Sequence, residues 1–464
     1  MKIAVQNLGI IESAGIEIGD LTIVCGNNNF GKTYLTYAFY GVLKYLRSAF
    51  ALIPIDQKSV DELIDQGETV IQLAPLLELL PSLIKKASGH YSKNLSEVFA
   101  ADKAHFENTR FTFEIPVPDR TLYKKSIRET VYGRSGMHFQ FSFFAETMVL
   151  SIRQLSKPAG AEEPPRDIIA LMVSDIVRDY LLEPIIPNVY ISSTERTGVA
   201  TFQRELDFTR NRLLELVGNK AKNIPANLLF SKFHNDYPLP VRDNVDFIRN
   251  LPNIANRESR LMKEHPELLS VLSDIIGGTY KATKDGFISY QPMRGVKLSI
   301  GESSSSVRSL LDVTFYLKNR ANPGDLFMID EPELNLHPSK QRMLARLLAR
   351  LVNCGIKVFM TTHSDYIVKE INTLLLLNQK GDSFKKIAAE EHYEKEELLD
   401  VSKVHVYIAG KYKQKKQENM RRTLCHSFAS APISQDKGIE VESFDTTIDE
   451  MNRIQDRILW ETPQ

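Results

Sequence analysis

Long apolar runs are missing from this chain of 464 residues. None approaches the roughly 18 apolar residues that a membrane span needs, and the opening MKIAVQNLGIIESAGIEIGD carries acidic residues where a secretory leader has a continuous apolar core. Cysteine is scarce. Cys25, Cys354 and Cys425 stand far apart with no CxxC pair, which speaks against a disulfide framework and against a zinc site. A surplus of either charge is also lacking, because 58 lysines and arginines balance 58 aspartates and glutamates. Any contact with nucleic acid or anionic lipid must therefore come from a local patch. These absences predict a soluble cytoplasmic protein with no membrane contact. Two nuclease signatures are absent as well: no Asp-x-Asp, the metal-binding pair of a Toprim domain, occurs anywhere, and His234-Asn235 has no second histidine at metal-ligand spacing, so an HNH reading fails.

What is present begins with length, which exceeds the usual single domain and predicts a core with a sizeable insertion or appendage. Lys2–Gln6, Gly15–Ile18 and Leu21–Cys25 read as short strands, with Gly19-Asp20 as turn chemistry. From Lys32 to about Leu52 apolar residues recur at helical spacing. Residues 58–100 read as further helices, and Thr109–Ile115, Ser126–Tyr132 and His138–Phe144 alternate like strands. A mostly helical stretch runs from about Gln203 to Asp274 and is read as an inserted arm. Short apolar strands return at Asp325–Ile329 and Lys357–Met360. The expected division is an N-terminal core segment over residues 1–202 with a helical insertion at 56–105, an inserted helical arm over 203–285, a C-terminal core segment over 286–402 and an appendage over 403–464.

Gly26-Asn27-Asn28-Asn29-Phe30-Gly31-Lys32-Thr33 matches GxxxxGK[ST], follows an expected strand and opens an expected helix. In that setting successive backbone N–H groups face the phosphates of ATP, the helix N-terminus adds partial positive charge, and Lys32 reaches the β- and γ-phosphates. Thr33 is the expected Mg²⁺ ligand through its hydroxyl. The strand Phe327-Met328-Ile329 ends in Asp330-Glu331, adjacent carboxylates suited to holding Mg²⁺ (Asp330) and to deprotonating or orienting the attacking water (Glu331). Glu333-Leu334-Asn335-Leu336-His337-Pro338 follows directly, and the third strand ends in Thr361-Thr362-His363-Ser364, which makes His363 the candidate γ-phosphate switch. Tyr190–Ser192 reads as another strand, after which Arg196 is a candidate nucleotide sensor or subunit bridge beside the bland alternative of a surface ion pair.

Ser304, Ser305 and Ser306 precede a helix expected at Val307–Lys318 and sit where a signature contributed to a facing subunit would lie. Leu298-Ser299-Ile300-Gly301-Glu302 is a competing match, and a plain serine N-cap fits the same residues. Lys411-Tyr412-Lys413-Gln414-Lys415-Lys416 with Arg421 and Arg422 is the clearest basic cluster, readable as a solvated helix face, a nucleic-acid surface or a dock for an acidic protein.

The stretch Asp330–Pro338 resembles the DEPE-x-x-LHP of ABC-type ATPases. Together with Ile276-Gly277-Gly278-Thr279-Tyr280 and Ile288-Ser289-Tyr290-Gln291-Pro292, the ordered motifs resemble the OLD-type ABC ATPases of bacterial anti-phage defence over most of the chain. The resemblance implies an α/β P-loop NTPase, an ABC/SMC-like ATPase head with an inserted helical arm. It also implies heads that pair face to face around ATP, and a separately encoded Toprim-type nuclease that is released on detection of a phage-encoded trigger protein. The alternative from the same motifs is a DNA-repair ATPase of the RecF or Rad50 kind that binds duplex DNA.

Overall fold

The computed structural model describes residues 1–49, 56–115, 120–123, 127–132, 138–156, 165–182, 184–202, 237–282, 288–415, 422–440, 450–451 and 453–458. The chain divides into two compact units, a larger one of residues 3–41, 93–110 and 189–464 and a smaller one of residues 1–2, 42–92 and 111–188. Strands β1 (Lys2–Leu8) and β2 (Ile11–Glu17) alternate buried and exposed residues, as half-covered strands do. By contrast β3 (Leu21–Cys25) is buried at every position, the mark of a strand covered on both faces. It leads through the glycine loop into α1 (Lys32–Ala49). Leu35, Phe39, Val42, Leu43 and Leu46 line the buried face of that helix.

The smaller unit contains α2 (Gln57–Gln66), β4 (Glu68–Gln72) and α3 (Ala74–Tyr91). Helix α2 is capped by the Asp56 carboxylate and stopped by Gly67 in the left-handed conformation. After α4 (Leu95–Phe99), which belongs to the larger unit, come β5 (Arg110–Glu114), β6 (Ile127–Tyr132), β7 (His138–Phe144), β8 (Val149–Ser156) and α5 (Arg166–Leu182). Strands β4, β8, β7 and β6 form an antiparallel sheet in that order, with Ile71, Phe139, Phe141, Phe143, Leu150 and Ile152 buried. The expected helical insertion at 56–105 is corrected here. The unit is α/β and discontinuous, because Thr69, Val70 and Ile71 complete a sheet that closes only with residues far along the chain.

The larger unit resumes with β9 (Val189–Ser192) and then α6 (Leu239–Arg249), α7 (Leu251–Ile254), α8 (Arg260–Glu264) and α9 (Leu268–Ile276). Residues 203–236 of the expected arm lie outside the described residues. The remainder is not an arm: Val241, Val245, Ile248, Leu251, Leu261, Leu272 and Ile275 share one core with Leu21, Ile23 and Ile329. A small antiparallel sheet follows, β10 (Thr279–Ala282), β11 (Ile288–Gln291) and β12 (Leu298–Ser299). Next come α10 (Ser305–Ser309) and α11 (Leu311–Asn319), which divide at Leu310 the single helix that the sequence suggests. The elements that complete the central layer and cover it include β13 (Leu326–Asp330), α12 (Pro338–Asn353), β14 (Lys357–Thr362), α13 (Asp365–Leu377), β15 (Val404–Lys415) and β16 (Arg422–Ser430).

Six strands form the central sheet in the order β16-β15-β3-β14-β13-β9. All neighbours are parallel except the hairpin β15–β16. This placement corrects two expectations. The core does not end at residue 402, since Val404–Ile408 pair with Leu21–Cys25, and Lys411–Lys415 of the basic cluster lie on a strand instead of a helix face, Lys416 and Arg421 being outside the described residues. Among the described residues, no helix is long and apolar enough to cross a membrane.

Candidate functional site

In an open parallel sheet, ligand sites form beyond the carboxyl ends of the strands. Here β3 ends in the glycine loop, β14 in Thr361-Thr362-His363, β13 in Asp330-Glu331 and β9 in Ser193–Arg196, and these four strands are consecutive neighbours. The register sets Asp330 beside Thr361 and Thr362 beside Cys25, so the sequence motifs converge on one edge.

The glycines of the loop have steric reasons. A Cβ at Gly26, which has φ +126°, would sit 2.7 Å from the Ala409 carbonyl oxygen of β15. At Gly31, with φ +88°, it would sit 2.5 Å from Ile11 Cγ1. Asn27, Asn28 and Asn29 are exposed, whereas the Phe30 ring lies 5.3 Å from the His426 ring of β16. Lys32 is buried, and its Nζ donates to the carbonyl oxygens of Gly26 at 2.7 Å and Asn27 at 2.8 Å. Burial lowers its pKa, while the charges of Glu331, Asp330 and Glu333 act in the opposite sense. The ammonium thus has carboxylates around it and carbonyls holding it across the loop.

Asp330 is fully buried, and its Oδ1 accepts from the Thr361 hydroxyl. Burial pushes this carboxyl up to about 6, the Thr361 hydroxyl opposes that, Glu331 adds to it, and the Thr33 hydroxyl and Arg196 oppose it. Its other oxygen, Oδ2, is buried without a hydrogen-bond partner. A buried orphan oxygen next to a threonine hydroxyl suits a hard cation, which takes oxygen ligands and leaves further positions to phosphate and water. Asp330 and Thr33 therefore fit a magnesium ion. Among the described residues no cluster of three or more His, Cys, Asp or Glu forms an all-protein metal cage.

Glu331 leaves the strand with φ +50°, a conformation uncommon outside glycine. Its N–H donates to the Thr361 carbonyl at 3.2 Å. The His363 Nδ1 stands 3.6 Å from Glu331 Oε1 and 3.4 Å from Glu333 Oε1. Glu333 is buried and accepts from the Thr362 hydroxyl at 2.9 Å and from the His363 backbone N–H at 2.8 Å. Sequence reasoning passes over Glu333 as a site residue, and its signal is the DEPE spacing, which sends a second carboxylate back to the end of β14.

Arg196, the candidate sensor or subunit bridge, turns into its own chain. It is 2% exposed and spends its donors on backbone carbonyls of its own chain. Nε donates to Ser309 at 3.0 Å, Nη1 to Ser193 at 2.9 Å and Asp330 at 2.7 Å, and Nη2 to Glu331 at 2.6 Å. Burial works against its charge, which Asp312, ahead of the site carboxylates, supports. A run such as Ser-Ser-Thr-Glu-Arg at a strand end carries no sign of this inward turn.

Ser304, Ser305 and Ser306 open α10. Ser304 caps it by accepting from Val307 N–H and pairs with the Ser306 hydroxyl at 2.8 Å, and Ser304 and Ser305 are exposed. Leu298–Glu302 forms a preceding turn in which Ser299 N–H donates to Glu302 Oε2 at 2.8 Å.

Residues 1–368 match the family described as AAA ATPase domain. No curated protein matches the chain. Three solved structures illustrate the structural comparison. An SMC head bound to the C-winged helix domain of ScpA shares 14% identity over 80% of this chain and 90% of that one, with a TM-score of 0.31. The Smc head domain with an extended coiled coil, bound to the C-terminal domain of ScpA from Pyrococcus furiosus, shares 12% over 98% of each chain at 0.31. The SMC head domain from Thermotoga maritima shares 11% over 80% and 90% at 0.28. Such scores carry no argument, and the P-loop ATPase assignment stands on the family match together with the sheet order and its converging motifs.

Proposed function

This chain belongs to the AAA ATPase domain family, and from that premise we propose that it is an ABC-type ATP switch whose two copies close face to face. The observation that carries this is the grouping of Lys32, Asp330, Glu331 and His363 at one end of the central sheet. Each chain supplies the phosphate loop, Lys32 neutralises phosphate charge, and Glu331 takes the proton of the attacking water. His363, held from behind by Glu333, faces the γ-phosphate. A magnesium ion on Thr33 and Asp330 supplies charge neutralisation of the phosphates. Ser304–Ser306, at the start of α10 with Ser304 and Ser305 exposed, complete the site of the facing copy.

The test is complementation. Lys32→Ala and a variant disrupted across Ser304–Ser306 are each inactive in ATP hydrolysis, and mixing them restores some of the rate because one of the two interfacial sites in the heterodimer is whole. Mixtures that never exceed either parent overturn the composite site.

At the level of the cell, the resemblance to OLD-type ATPases supports a subunit most like AriA of the PARIS anti-phage system. In that reading the chain holds a separate Toprim-type nuclease and releases it when a phage protein is detected. The absence of Asp-x-Asp in the chain supports placing the nuclease elsewhere. A second reading, a RecF- or Rad50-like ATPase on duplex DNA, is favoured by one observation. The β15–β16 register sets Lys411 opposite His426 and Lys413 opposite Leu424, which places these two exposed lysines on one face of the ribbon. DNA affinity of the chain alone, falling steeply with salt, selects that reading.

A further inference from the structure

The two peptide planes that meet at Glu331 have few handles. The first carries the Asp330 carbonyl and the Glu331 N–H. The second carries the Glu331 carbonyl and the nitrogen of Pro332, which has no hydrogen to donate. That carbonyl is thus the second plane's one hydrogen-bonding group; the Arg196 Nη2 donates to it at 2.6 Å and the Leu334 N–H, from the turn that follows, at 3.2 Å. The same guanidinium holds the first plane through the Asp330 carbonyl at 2.7 Å. One planar, five-donor group therefore fixes both sides of a residue whose φ of +50° is otherwise disfavoured.

The other end of the clamp is equally specific. Arg196 Nε donates to the Ser309 carbonyl, the last residue of α10, whose first turn carries the exposed serines. Its Nη1 donates to Ser193, and the Ser193 N–H is itself held by the Asn244 side chain of α6 at 2.9 Å. Asn244 also donates to the Ile191 carbonyl of β9. A displacement of α10 on engagement of a facing copy thus meets the Glu331 backbone through a single side chain.

We propose that Arg196 is the positioning residue of the hydrolytic step, holding Glu331 in its working backbone conformation and tying it to the helix that bears Ser304–Ser306. The inference rests on Glu331 as the general base. Lysine has one ammonium in place of the rigid fork and cannot serve four carbonyls arranged in this way.

The experiment measures ATP affinity, KM and kcat for the purified wild-type chain, Arg196→Lys, Glu331→Gln and the double variant. Arg196→Lys keeps ATP affinity within about twofold while kcat falls roughly a hundredfold, the scale of a base displaced by about an ångström. Added to Glu331→Gln, the same change costs nothing further, because residues acting as one unit are not additive. A second variant, Arg196→Met with Asp312→Asn, removes the buried charge together with the carboxylate that most strongly supports it. It gives the same pattern. Equal fractional losses in the wild-type and Glu331→Gln backgrounds, an unchanged kcat, or failure of both variants to yield folded protein with normal ATP affinity overturns the proposal. Wild-type turnover in Glu331→Gln overturns instead the assignment of the base.

Discussion

A carboxylate that must take a proton from water needs partners that keep it aimed, and those around Glu331 mostly hold its backbone. Thr361 holds its N–H, Arg196 holds its carbonyl, and His363 stands at 3.6 Å from Oε1. Glutamine is nearly isosteric with glutamate, so Glu331→Gln leaves these contacts and the Asp330–Thr33 pair in place while removing the basic oxygen. Its expected outcome is ATP binding like wild type with hydrolysis slowed by roughly a hundred- to ten-thousandfold, read by nucleotide titration and phosphate release. Accumulation of a closed dimer on ATP, seen as a mass doubling in solution, accompanies it. Turnover within a few-fold of wild type removes Glu331 from the base role. At this scale the sequence is legible where chemistry imposes a pattern of consecutive residues, as in Gly26–Thr33 and Asp330-Glu331. It is silent where one side chain folds back on distant carbonyls: nothing near Arg196 in sequence announces Ser309, Asp330 and Glu331 as its partners.

Elements show the same division between local and long-range information. The strands β3, β13 and β14 are readable as short apolar runs that end in polar residues, because burial on both faces writes itself into consecutive positions. β4 is hidden among helices, since five residues with alternating exposure become a strand only when β8 pairs with them. β15 reads as an appendage, because lysines at its far end mask the apolar Val404, Val406 and Ile408 that pair with β3. From that pairing follows a prediction about boundaries. A chain cut after Ser402 strips β15 from the phosphate-loop strand, uncovers the backbone of Leu21–Cys25 and removes the Ala409 backbone that packs on Gly26. Exposed strand edges aggregate and unpaired buried backbone groups are costly. The truncated chain is expected to be insoluble or to bind no ATP, whereas a cut after Glu440 keeps all six strands and retains ATP binding. Circular dichroism and nucleotide titration decide, and normal binding by the 1–402 chain shows that β15 is dispensable.

For the whole molecule the question is what a nucleotide-driven closure accomplishes. The chain carries a set of ATP-handling groups, yet it has no Asp-x-Asp and no histidine pair of the HNH kind. Two heads that close on ATP and open after hydrolysis change the surface they offer, and a second protein bound to only one of those states is held or freed by the nucleotide. The β15–β16 ribbon suits transmission, because its base packs on Gly26 while the rings of His426 and Phe30 meet beside the phosphate loop. The function proposed above predicts that the chain is not itself the toxic agent. Expressed alone it should leave growth unaffected and cleave neither DNA nor RNA, even with ATP, Mg²⁺ and phage extract supplied. Expressed with a separately encoded Toprim-type nuclease of the proposed kind, it should co-purify as a stable complex and arrest growth only on infection, and Glu331→Gln should alter that response without dissociating the uninfected complex. Co-purification, growth curves and a nuclease assay on the single chain provide the readouts. Robust nucleic-acid cleavage by the purified chain, lost in Glu331→Gln, would place the effector site within these 464 residues and overturn the division of labour.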